Sequence, residues 1–374
     1  MKLSIQKNQL QRGLSRIQAI VEKRNSMPIL ANVLLQAEGK GEKGSLELAA
    51  TDLEVGIRGT HSANVEKPGG LTVSARKLYD IVRELPDETV HMAAMSNSYL
   101  ELRCERARFT LAGTAPEEYP SLPDFAPGRL VTLQAAVLST MIERTMYAAS
   151  LDETRYNLNG VYFEVLSDEA KIRMVATDGH RLAVVDRVVG DQVAGLSSGL
   201  IIPRKGLAEL KRLVDEEDAD EIEIGFEGNS GLARKGDVTL LMRLIEGEFP
   251  NYNQVIPKTT EHKITLSSET LLRALRRVVL LSAERSRAVK CEIESGCLTL
   301  SSSNPDLGEA QEELDVDYDG DAISIGFNAK YLIDAIGSLG SKELQLGLSD
   351  GSSPVEIRPT DDAESLAVVM PMRL

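Results

Sequence analysis

The stretch Leu71-Thr-Val-Ser-Ala-Arg-Lys-Leu78 decides the fold, because it returns as Leu200-Ile-Ile-Pro-Arg-Lys-Gly-Leu207 and as Ile323-Ser-Ile-Gly-Phe-Asn-Ala-Lys-Tyr-Leu332. Each copy is a short apolar run leading into a basic residue or pair, so one strand-to-helix junction recurs after about 125 to 128 residues. Other landmarks keep the same order. Thr51-Asp52 returns as Thr177-Asp178, and Tyr119-Pro120 as Phe249-Pro250. Leu3-Ser-Ile5, Val131-Thr-Leu133 and Ile264-Thr-Leu266 each precede an amphipathic pattern. A period this long is a whole domain rather than a solenoid unit.

The 374 residues therefore divide into three similar domains, with boundaries expected at 1–128, 129–258 and 259–374. Prolines mark the junctions: Pro116, Pro120, Pro123 and Pro127 at the first, Pro250 and Pro257 at the second. With no Trp and only 4% aromatic residues, the cores must rest on aliphatic side chains. Leu10, Leu14, Ile17 and Val21 make a buried helical stripe in the first copy, with Arg12 and Arg16 on another face; Leu271, Leu275 and Val278 repeat it against Arg273, Arg276 and Arg277. The second copy is weaker, with Leu138, Met141, Ile142 and only Arg144. Between helices the pattern alternates as strands do, for example Leu100, Leu102 and Cys104, or Val161, Phe163 and Val165. The fold class is α+β, each domain carrying two helices on one face of mostly antiparallel sheet.

A net charge of −15 argues against a nucleic-acid partner until its distribution is considered. Helices are expected at 5–25, 74–86, 133–150, 203–215, 268–290 and 327–340; together they carry +11, leaving −26 for the rest. Either this is the ordinary scatter of solvated helix faces, or helices and sheets face different surroundings.

Three motifs invite chemistry. Gly39-Lys-Gly-Glu-Lys-Gly44 matches the dinucleotide fingerprint, but a strand-like alternation follows where a helix is required, so a hairpin turn is expected. Thr177-Asp-Gly-His-Arg-Leu182 offers Asp178 and His180 as a general-base pair, which would make the chain a hydrolase. The counterpart Thr51-Asp-Leu-Glu-Val55 keeps only Thr and Asp, which points to a turn, and no Ser or Cys nucleophile lies nearby. The ending Val368-Val-Met-Pro-Met-Arg-Leu374 allows two readings, a final edge strand stopped by Pro371 or the wall of an apolar groove. The four His show no i, i+4 spacing and no P-loop occurs, so no metal and no cofactor is expected. Cys104, Cys291 and Cys297 form an odd set without C-x-x-C spacing, no secretory leader pattern opens the chain, and no apolar run spans a bilayer; the cytoplasm, and no membrane, is the expectation.

The strings Arg155-Tyr-Asn-Leu-Asn-Gly160, Ala176-Thr-Asp-Gly-His-Arg-Leu-Ala-Val184, Ile202-Pro-Arg-Lys-Gly206, Gly247-Glu-Phe-Pro-Asn-Tyr252 and Met370-Pro-Met-Arg-Leu374 closely resemble the bacterial sliding-clamp family, the beta subunits of DNA polymerase III, over the whole chain. The resemblance implies a non-enzymatic processivity factor, a head-to-tail homodimer closed into a ring around double-stranded DNA. It implies inner-surface DNA contacts at Arg12, Arg24, Arg76, Arg204, Lys205 and Arg277, with Arg155 and Tyr156 on a loop near the duplex. The dimer contact would pair Phe109 and Leu111 with Leu280 and Leu281, unless these belong to an internal core. A partner-peptide groove between the second and third domains would comprise Leu158, Thr177, Gly179, His180, Arg181, Leu182, Pro250, Val255, Asn328, Tyr331, Val368, Met370, Pro371 and Met372. It would receive linear motifs of the polymerase III alpha subunit and other polymerases, an ATP-driven clamp loader, and mismatch-repair and other proteins. Gln254, Ser286 and Pro354 depart from the family pattern, which puts the peptide preference in question.

Overall fold

A computed structural model describes residues 1–21, 27–122, 130–217, 219–284 and 286–373. Six α-helices are present among them: α1 (Lys7–Ile17), α2 (Ala75–Glu84), α3 (Ala135–Met146), α4 (Arg204–Val214), α5 (Ser268–Val278) and α6 (Ala329–Leu339). The repeated junction of the opening stretch is a strand running straight into a helix, with a side-chain cap in the first and third copies. Ser74 accepts a hydrogen bond from the Lys77 N–H at the start of α2, and Asn328 one from Lys330 at the start of α6. Each cap satisfies a donor that the helix itself cannot, worth about 1 kcal/mol.

The helices bury one stripe each. Leu10, Gly13, Leu14 and Ile17 of α1 face inward, as do Leu271, Ala274, Leu275 and Val278 of α5 and Leu332, Ala335, Ile336 and Leu339 of α6. Helix 268–290 was expected to run further. It gives way after Val278 to a short 3-10 turn, Val279–Leu281, where the Ser282 hydroxyl donates back to the Val279 carbonyl at 2.8 Å, and Lys290 lies instead on the strand Ala288–Glu294. The observed helices still carry a combined +9.

Every pairing among the described strands is antiparallel. The same four-strand order appears in all three copies. It runs Gly69–Ser74, Asn32–Glu38, Gly41–Thr51, Val55–Lys67 in the first, and Leu200–Pro203, Gly160–Leu166, Lys171–Thr177, Arg181–Val188 in the second. In the third it runs Ile323–Asn328, Ala288–Glu294, Cys297–Asn304, Gly308–Asp315. Gly39–Gly44 holds the hairpin turn and the start of the strand Gly41–Thr51, with Gly39 and Gly41 at positive φ, and no helix follows it.

The chain packs as two compact units, Met1–Ala135 with Ala208–Leu244, and Ala136–Leu207 with Ile245–Leu374. In the first unit a twelve-stranded sheet continues from Val55–Lys67 into Val238–Arg243 of the second copy, in register Ile57 opposite Leu240. In the second unit an eight-stranded sheet continues from Arg181–Val188 into Ser365–Val369 of the third copy, Ala183 opposite Ala367. The division thus falls inside the second repeat, because each half of it is hydrogen-bonded to a neighbouring copy. Ser365–Val369 is therefore not an edge strand: it lies between Arg181–Val188 and Val355–Pro359 and is buried throughout. Cys104 and Cys291 are buried free thiols, and burial pushes Cys291 up to about 12.

Candidate functional site

The Thr-Asp-Gly-His-Arg string forms the tip of the hairpin between Lys171–Thr177 and Arg181–Val188 in the second unit. The Thr177 hydroxyl donates to the Arg181 carbonyl (2.7 Å) and accepts from the Gly179 N–H (3.1 Å), while Asp178 Oδ1 accepts from the N–H groups of His180 (2.9 Å) and Arg181 (3.0 Å). The first unit builds the same turn bond for bond. There Thr51 donates to the Val55 carbonyl and accepts from Leu53, and Asp52 accepts from Glu54 and Val55. Gly179 has φ +88° and its counterpart Leu53 is held at +79°. Thr-Asp is therefore turn chemistry. Asp178 holds backbone N–H groups and the Arg181 guanidinium (3.1 Å), while the His180 ring stacks on Tyr331 (6.0 Å, 14°), so the two do not form a catalytic pair.

What differs between the turns is what surrounds them. Met370 donates its N–H to the His180 carbonyl at 2.8 Å, just as Arg243 does to Glu54 in the first unit, and Met372 continues with a 2.8 Å bond to the Gly326 carbonyl. The terminal segment therefore runs alongside the hairpin tip, with Met370, Pro371 and Met372 half-buried. Leu182 pairs with Val368, and both join Val175, Val184, Tyr252 and Leu366 in an apolar cluster. Tyr162, Phe249 and Ile256 pack on it, the Tyr162 and Phe249 rings stacked at 5.0 Å.

Beneath this cluster, Tyr252 donates its hydroxyl to Glu164 (2.7 Å) and accepts from Arg173, which is bidentate to Asp186. Burial pushes the Tyr252 phenol up to about 12, so it stays a neutral donor. Leu158 is 8% exposed at the end of the turn Glu153–Leu158. That turn is tied to the segment before Pro250 by the Asn157 side chain, which donates to the Glu248 carbonyl at 3.0 Å. Pro250 and Val255 are exposed nearby in sequence, and Asn328 caps the helix that presents Tyr331. The fourteen expected groove residues thus lie on one unit. They are carried by the hairpin, the Glu153–Leu158 turn, the 250–255 segment, the start of α6 and the terminal segment. Gln254 is exposed, while Ser286 and Pro354 are half-buried.

The expected DNA contacts sit on or beside the helices. Arg12 and Arg76 are exposed on α1 and α2, and Arg204 and Lys205 are half-exposed at the start of α4. Arg277 is exposed on α5 but paired bidentately with Glu312 at 2.9 and 2.5 Å. Arg12 lies 3.6 Å from Glu216, whose main partner is the more buried Arg16. Arg155 donates to the Asp178 carbonyl at 3.0 Å and pairs with Asp152, beside an exposed Tyr156. Arg24 lies outside the described residues. Phe109 and Leu280 are 36% and 73% exposed, and Leu111 and Leu281 are half-buried, so none of the four is internal core. Sequence reasoning missed Tyr147, whose ring lies against the Arg181 guanidinium; nothing in its local pattern separates it from an ordinary core tyrosine.

A non-repeating apolar surface mounted on repeated domains defines a docking scaffold. The chain belongs to the DNA polymerase III beta subunit family: the N-terminal, central and C-terminal domain models match residues 1–123, 132–251 and 253–373. It is 36% identical to the beta sliding clamp of Caulobacter vibrioides over the full length of both chains. Among solved structures it is similar to the sliding clamp of Bartonella birtlesii bound to griselimycin (38% identity, TM-score 0.94) and to that of Pseudomonas aeruginosa bound to griselimycin (34%, 0.93), each covered completely.

Proposed function

We propose that two copies of this chain close head to tail into a ring around duplex DNA and tether the replicative polymerase, a clamp loader and repair proteins at the surface beside His180. The observation that carries the ring is a pair of open strand edges. In the first two copies the fourth strand of the set is paired with the last strand of the next copy. In the third, Gly308–Asp315 pairs, among the described residues, only with Cys297–Asn304. The strand of the first copy that corresponds to those last strands is Ala107–Thr114, which meets Gly69–Ser74 only at Thr72 and Val73. Joining one open edge to the other in a second copy repeats a pairing that the chain already makes twice. Such a contact is heterologous, and it gives a closed ring when its rotation closes after two copies.

Arg12, Arg24, Arg76, Arg204, Lys205 and Arg277, with Arg155 and Tyr156, are the proposed phosphate contacts. Such contacts position a duplex without reading its sequence, which suits a protein that slides. Retention is topological, the three domains meet near residues 128 and 258, and the protein works without catalysis in the cytoplasm. No helix among the described residues is long and apolar enough to cross a membrane.

The test is to load the protein on nicked circular DNA with a clamp loader, raise the salt and then linearise the circle. A ring stays on the circle and leaves only after linearisation; salt-sensitive loss from intact circles refutes it. Griselimycin titration tests the docking surface: competition with a polymerase-derived peptide is expected, and independent binding refutes a shared site.

A further inference from the structure

We infer that Arg181 is a positioning residue: it does not itself meet the docked partner but holds His180 and Tyr331 in place as the wall that does. This rests on the docking surface proposed above. The Arg181 side chain is only 9% exposed. Its guanidinium carbon lies 5.3 Å from the Tyr147 ring centroid and 4.7 Å from that of Tyr331, and the far side of the series is completed by His180 stacked on Tyr331. Tyr147, Arg181, Tyr331 and His180 thus form a ladder from the interior to the exposed wall. At its inner end Tyr147 packs against the core of the third copy, and burial raises its phenol well above the ordinary range. Two carboxylates fix the guanidinium in its plane: Asp178 accepts from Nε at 3.1 Å, and Asp334 of α6 accepts from a terminal nitrogen at 2.6 Å. A planar cation lying over two aromatic rings and paired at its edge is a role that arginine fills and lysine does not.

The first repeat supplies the control. Its Thr51-Asp52 turn has the same hydrogen bonds with Val55 where the second copy has Arg181. The hairpin therefore folds without an arginine, and the position is free to serve another purpose. The hairpin tip and α6 come from different copies, and the Asp178–Arg181–Asp334 bridge joins them. The terminal segment also links the two through its backbone, from Met370 to His180 and from Met372 to Gly326, but this bridge is what fixes the side chains of the wall against one another.

The experiment substitutes Arg181→Val, reproducing the first copy, and adds the double variant Arg181→Val with Asp334→Asn so that Asp334 is not left as an unpaired carboxylate, while Asp178 keeps its two backbone N–H donors. Griselimycin is the probe. Affinity is expected to fall in both variants by as much as about 30-fold, the factor by which losing one desolvated cation–π contact lets the wall leave its binding arrangement before the ligand arrives. The ring-proton NMR signals of His180 should move toward free-histidine values before any ligand is added, and Arg181→Lys should recover little of either. If wild-type protein fails to bind griselimycin, the docking surface itself is wrong. Wild-type binding with variant affinity unchanged within twofold overturns the positioning role. So does weakened binding with the His180 signals unmoved, which would make Arg181 a direct contact.

Discussion

Met370→Arg asks whether the terminal segment is a binding wall or only the end of a strand. The first unit already carries the answer for folding: Arg243 of the second copy occupies the equivalent place and makes the equivalent 2.8 Å bond, to Glu54 instead of His180. The backbone therefore accepts arginine here, and Met370 is half-buried, so the fold should lose little. Binding should lose much more. Covering the exposed half of a methionine contributes about 1 kcal/mol, half of a fully buried side chain's worth. Covering an arginine with an apolar ligand instead removes water from polar N–H groups at about 1 to 3 kcal/mol. Together these predict weakening by about 2 to 4 kcal/mol, roughly 30- to 1,000-fold. Isothermal titration with griselimycin and a thermal melt of the same sample decide the matter. Affinity unchanged within threefold would refute the wall. A large drop in melting temperature would show that Met370 serves the fold.

Other outcomes follow from single features. Phe109→Asp combined with Leu280→Asp should convert the proposed dimer to a monomer of 40.7 kDa in sedimentation, because both side chains lie exposed beside the open strand edges. Asn328→Ala removes the cap of α6 and should lower stability by about 1 kcal/mol, or about 2–4 °C in the melting of a unit of this size. His61 packs against Gly13, faces Arg12 and Arg16 of α1, Lys235 and Asp237 of the next hairpin and Glu216, and burial, then Arg16, holds its pKa below the ordinary 6.5. The unfolded chain thus takes up that proton more readily, so stability should fall as pH drops below about 6.5 toward the folded value, and His61→Gln should flatten the dependence of melting temperature on pH between 7 and 5.

The repeat was legible because its signals are local. Apolar alternation, a strand-to-helix junction and a Thr-Asp turn are set by neighbours within a few positions, and all recur in the structure, the turn with matching hydrogen bonds in the first and second copies and the junction with caps in the first and third. The resemblance then named groove residues that all lie in the second unit. Signals failed where the deciding partner is distant in sequence. The final strand could not be told from an edge because its neighbour, Arg181–Val188, lies far upstream. Arg181 reads as a solvated charge in any local pattern, yet Tyr147, Tyr331 and Asp334 enclose it. Helix 268–290 ended early because Ser282 turns its hydroxyl back on the Val279 carbonyl, a choice hydrophobic periodicity does not register.

The sheets that cross repeat boundaries decide how this molecule can be taken apart. A fragment cut near residue 128 would strip Val55–Lys67 of its neighbour Val238–Arg243, and one cut near residue 258 would strip Arg181–Val188 of Ser365–Val369. Each would open one long edge of a strand still paired on its other side, the template on which proteins aggregate. The sequence is modular, but the folded chain can be shortened only by units that leave both halves of the middle repeat with a companion.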